Sequence, residues 1–139
     1  MNNRLALAIV IALVVYVAAE QLASALTPSL APMANPDHYF WLLAGVSAAV
    51  FFLAAFAGSW VARARFLVPA LLLWAIATAT TMIVGYRLQL AADPITSGAY
   101  FLRNLPMLSA TLTGTLAGVF FGRFATGRKR AVEGTRTAT

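Results

Sequence analysis

Four long apolar runs constrain this chain more than any other feature: residues 5–26, 40–62, 66–88 and 106–124. Each has roughly the 17–25 residues that a helix needs to cross a hydrocarbon core. Inside such a core no water satisfies a backbone N–H or C=O, so a spanning segment must pair its own backbone as a helix or close into a barrel. Of the 139 residues, 61% are hydrophobic and 10% charged, whereas soluble domains carry about a quarter charged residues. So few charges do not coat a water-facing surface. The expected fold is therefore all-α and membrane-integral: four transmembrane helices in an up-down bundle over residues 1–126, then a basic, disordered cytoplasmic tail over 127–139. Pro36, Pro69 and Pro106 are expected near helix starts, where a missing N–H is harmless. The segment TPSLAPMANPD, with Pro28, Pro32 and Pro36, reads as a stiff non-helical connection.

The charges orient the bundle. Of ten basic residues, only Arg87 and Arg103 fall at the end that carries the first and third connections. The others are Arg4, Arg63, Arg65, Arg123, Arg128, Lys129, Arg130 and Arg136, all at the end that carries both termini. By the positive-inside rule both termini are cytoplasmic, as in a bacterial-type inner membrane. Tyr39, Trp41, Tyr86 and Tyr100 then form an outer aromatic belt, with Trp60 and Phe66 near the inner surface. Arg4, the run 5–19 and Ala23-Ser24-Ala25 also fit a cleaved secretory signal, which would leave three spans. The net charge of +6 belongs with this topology. Arg128, Lys129 and Arg130 are expected at anionic lipid head groups, each contributing about 1 kcal/mol. No base-stacking platform accompanies the basic residues, so no nucleic-acid partner is expected.

The fourth run contains GTLAGVFFG, with Gly114, Gly118 and Gly122 four residues apart on one side of a helix. Lipid tails are as apolar as leucine, so membrane helices associate through close packing and inter-helix hydrogen bonds rather than hydrophobicity. A glycine every fourth residue cuts a groove into which a partner backbone fits. Thr111 and Thr115 lie along the same side and can hydrogen-bond back or across. These five residues are the expected helix-packing interface, either within one bundle or toward another chain. The second run offers Ala44, Ala48, Ala55 and Gly58 as small partners, and the third Thr78, Thr81 and Gly85.

Chemistry-bearing residues are few. Glu20 sits inside the first run, toward its outer end, and intramembrane ionisable groups are functional suspects. Tyr16, Ala12, Ala23 and Ser24 share its side of the helix. With Arg87 and Arg103 it forms a possible ion or polar site, within a wider outer group that includes Asp37, His38, Gln89, Asp93 and Asn104. A structural carboxylate and an ordinary polar loop region are the plainer readings of the same residues. The chain has one histidine and no cysteine, so no metal site, haem or other cofactor is expected. Ser24, Ser29 and Ser97 have no base at motif-like spacing, and no phosphate-binding loop is present, so no enzymatic activity is expected.

Abundant packing chemistry beside scarce reactive chemistry leads to the expectation of a non-catalytic accessory, assembly or stabilising subunit. Its partners would be the lipid bilayer and either copies of itself or a larger membrane complex. The alternative is an oligomeric small-solute or ion transporter or channel, with Glu20 as its proton or cation site. The topology is directly testable. A reporter active only outside the inner membrane is expected to be silent after Thr139 and active when inserted at 31–35; the reverse pattern overturns the orientation, and a mature chain lacking residues 1–25 establishes cleavage.

Overall fold

The computed structural model of the chain describes the backbone of residues 3–30, 36–62, 66–92 and 95–136, and side chains at 3–29, 38–62, 66–92 and 95–126. It is all-helical: α1 (Asn3–Leu30), α2 (Pro36–Ala62), α3 (Leu67–Ala92) and α4 (Ser97–Arg136). Every one of the four is long and apolar enough to cross a membrane. The side chains of the basic tail, including Arg128, Lys129 and Arg130, lie outside the described residues, and the backbone of α4 is helical to Arg136.

Pro36 opens α2 and Pro69 lies in the first turn of α3. Two other prolines behave differently from the sequence expectation. Pro106 lies inside α4, which begins at Ser97, and α1 continues through Pro28 to Leu30 rather than breaking there. Each removes one backbone donor, but breaking the helix in an apolar setting would leave several groups unpaired, which costs more. Hydroxyl groups bond to nearby carbonyls on both helices: Thr27 donates to the Ala23 carbonyl at 2.7 Å and Ser109 to that of Pro106 at 2.8 Å.

Ala8 and Ala12 of α1, Ala55 of α2, Ala70 of α3 and Val119 of α4 gather around Phe66 in one buried cluster. The start of α1 and α3 therefore meets the end of α2 and the later part of α4, so successive helices alternate in direction. Contact is unevenly distributed. α2 and α4 form the tightest pair, α1 packs on α2, and α3 packs more on α4 than on α2, while α1 and α3 scarcely touch. The order across the bundle is thus α1, α2, α4, α3.

Glycine explains the tight pair. A Cβ on Gly114 would collide with the backbone of Ala48, one on Gly118 with that of Phe52, and one on Gly122 would lie 2.8 Å from the Phe56 carbonyl oxygen and 2.8 Å from Ser59 Cβ. The obstacles are largely backbone and cannot rotate away. The approach also permits a helix-to-helix bond, in which the buried Ser59 hydroxyl donates to the Val119 carbonyl at 2.9 Å. Gly118→Leu is expected to lower bundle stability by at least about 1–3 kcal/mol, the usual cost of overpacking. Gly45 has open space around it, so Gly45→Ala is expected to be neutral or stabilising by up to about 1 kcal/mol. Unfolding titrations of both variants in mixed micelles check the contrast, and equal losses would sink it.

Candidate functional site

Because α1 leans on α2 and α3 on α4, a cleft remains between α1 and α3, floored by the central pair. Two cavities occupy it, and a third adjoins them between α1 and α2. The apolar chamber, ≈ 320 Å³, has walls from all four helices, including Ala12, Phe51, Ala55, Leu73 and Ala77. Phe66 closes it at the end that carries the termini. The sequence reading put Phe66 near the inner surface; the structure adds that it is 1% exposed and fills the junction of the four helices. Its ring occupies the space that a Cβ on Gly58 would need.

A neck of ≈ 70 Å³ follows, sharing Tyr16, Phe51 and Thr81 with the chamber. The Tyr16 and Phe51 rings, with centroids 5.2 Å apart, form one of its walls. Beyond it lies a vestibule of ≈ 340 Å³, which shares Glu20, Ser47 and Met107 with the neck and includes Ser24, Thr27 and Pro28. Glu20 therefore stands where neck and vestibule meet. Among the described residues no hydrogen bond or ion pair ends on its carboxylate. Arg87 and Arg103 are exposed and line none of the three cavities, so the structure does not bring them to Glu20.

The hydroxyl groups around the chamber are already committed. Thr80 donates to the Ile76 carbonyl at 2.9 Å, Thr81 to that of Ala77 at 2.9 Å and Thr115 to that of Thr111 at 2.9 Å. Thr111 is buried, accepts the indole N–H of Trp74 at 3.0 Å and donates to carbonyls one turn back. Thr111 thus ties α3 to the cleft floor, while Gly114, Gly118 and Gly122 face α2. One side of α4 meets both neighbours.

His38 is exposed, and the side chain of Asp37 lies outside the described residues. Among the described residues no group of three or more His, Asp or Glu side chains is placed to hold a metal ion. Sequence reasoning missed Ser47, which carries no pattern beyond a small polar residue in an apolar run. Asn104, placed by the sequence in the wider outer polar group, lines the neck together with Glu20, and its amide donates to the Tyr100 carbonyl at 2.9 Å.

Comparison with known protein families, curated proteins and solved structures finds no match. The chemistry of the cleft therefore has to be read from its own residues. The arrangement provides a closed apolar end, a narrow waist and one carboxylate at the waist. Thr111→Val removes the acceptor of the Trp74 indole without changing side-chain volume. The expected loss of stability is about 0.6 kcal/mol and at most about 1.7, the average and maximum measured for hydrogen bonds between membrane helices. A shifted Trp74 emission should accompany it; unchanged emission and stability would show that the bond carries no weight.

Proposed function

We propose that this chain is a non-catalytic membrane protein that binds and moves a small solute or cation, with Glu20 as the proton or cation site. It would sit in a bacterial-type inner membrane with both termini in the cytoplasm. One observation carries the reading: Glu20, the one acidic side chain among the described residues, is exposed on an apolar helix, lines two adjoining cavities and has no hydrogen bond or ion pair among the described residues. Ionisable groups in membrane helices are expensive, and when they face a cavity they mark ion or substrate paths. The cleft is closed at the Phe66 end, so passage across the bilayer requires Phe66 to move or a second copy to complete the path. Purified protein in sealed vesicles is expected to conduct protons or small monovalent cations. Glu20→Gln should reduce that flux by about tenfold or more, equivalent to at least about 1.4 kcal/mol of lost site affinity. Flux that is absent, or equal in both proteins, overturns the transport reading.

A second reading is favoured by α3, along which only Ala70 is buried. A helix so little covered by its own chain suits an accessory or assembly subunit that lays α3 against a second copy or a larger membrane complex, with anionic lipid at Arg128, Lys129 and Arg130. Glycine packing does not argue for that partner, because Gly114, Gly118 and Gly122 meet α2 of the same chain. Leu72 and Ile76 are exposed on α3. Leu72→Trp is expected to release a stoichiometric partner that co-purifies with the native protein in mild detergent, and a strictly monomeric native protein removes this reading.

A further inference from the structure

We propose that the cleft between α1 and α3 takes a single-chain amphipathic amine, with the ammonium group against Glu20 and the hydrocarbon chain in the apolar chamber. The inference rests on the solute-binding reading above and adds the chemical class of the solute. Three features select that class. The first is the sign of the charge. Glu20 is the one charged side chain on the chamber, neck or vestibule, and Arg87 and Arg103 line none of them. A carboxylate or phosphate head group would meet repulsion there, and a cation would meet an acceptor that nothing else among the described residues uses.

The second feature is the chemistry of the chamber. Thr80, Thr81 and Thr115 spend their donors on carbonyls of their own helices, and the Trp74 indole spends its donor on Thr111. A polar or hydrated body would lose its own hydrogen bonds on entering and regain few, at a cost of order 1–3 kcal/mol for each group left unsatisfied. A hydrocarbon loses none. The chamber volume, ≈ 320 Å³, is at the lower end of ordinary ligand sites, which begin near about 300 Å³.

The third feature is the waist. The ≈ 70 Å³ neck, walled by Tyr16 and Phe51, stands between Glu20 and the chamber. A neck of this volume suits one extended chain better than the paired chains of a phospholipid, which favours a single-chain molecule over a bilayer lipid.

Trp74 lines the chamber, whereas Trp41 and Trp60 line none of the three cavities, so Trp74 reports on occupancy. The experiment titrates a medium-chain primary amine, brominated at its methyl end, into phosphatidylglycerol vesicles holding the full chain with Trp41→Phe and Trp60→Phe. The expected result is saturable quenching of Trp74. Half-saturation should move by about tenfold or more in Glu20→Gln, and Ala77→Phe, which fills the chamber and leaves Glu20 in place, should abolish quenching. A brominated carboxylate of equal length should quench only weakly. Equilibrium dialysis of the radiolabelled amine against the unmodified chain gives the same ratio without altering any tryptophan. Equal quenching by amine and carboxylate, binding insensitive to Glu20→Gln and Ala77→Phe, or quenching by a brominated two-chain phospholipid in place of the amine overturns the proposal. Amine binding without flux sinks transport and keeps this inference, and proton or cation flux without amine binding does the reverse.

Discussion

The backbone of α4 lies directly on the backbone of α2, and the rest of the molecule is arranged around that contact. In hydrocarbon no water is released when apolar side chains meet, so a helix pair gains mainly from dispersion and from bonds that close approach allows. Gly114, Gly118 and Gly122 remove the side chains that would hold the two axes apart, and the Ser59 bond to the Val119 carbonyl follows from the short separation. The intrinsic helix cost of about 1 kcal/mol per glycine is tolerated because the helical state itself is enforced by the lack of any other backbone partner.

A flat pair with one helix leaning on each member cannot close as a round bundle does. α1 and α3 approach over the same face and meet only around Phe66, where a large ring bridges small residues from every helix. Away from that point they diverge, and the cleft is the consequence. Its polarity follows from the order of residues along α1: Ala8 and Ala12 pack at the closed end, Tyr16 narrows the middle, and Glu20 stands at the open side of the waist. One helical face therefore passes from packing surface to cavity wall over three turns. Trp74 and Thr111 hold α3 to the floor of the cleft, so its width depends on a hydrogen bond as well as on side-chain volume.

Much of the architecture was legible without coordinates, because the signals are strong and local. Length and apolarity mark four helices, and the four-residue spacing of glycine marks one side of α4 as a contact surface. Other features were not legible for specific reasons. Pro106 looked like a helix start because proline favours first turns, but the segment from Ser97 to Leu105 is helical too and the ring is absorbed within α4. The burial of Phe66 was not legible, because it depends on Gly58 and Ala55 of α2 and Ala12 of α1, which no local window contains. Ser47 carries no signal of its own and matters only through standing across from Glu20.

Sequence alone determined the number of helices, their apolar character and the scarcity of ionisable groups, since these depend on composition and on spacing along a single helix. It also singled out Glu20, because a lone carboxylate in an apolar run is costly wherever the run packs. Tertiary structure decided which helix occupies the glycine groove, that α1 and α3 stay apart, and that Glu20 faces cavities rather than Arg87 or Arg103. Those outcomes are set by which backbones approach most closely in three dimensions, a competition among helices that no single segment encodes.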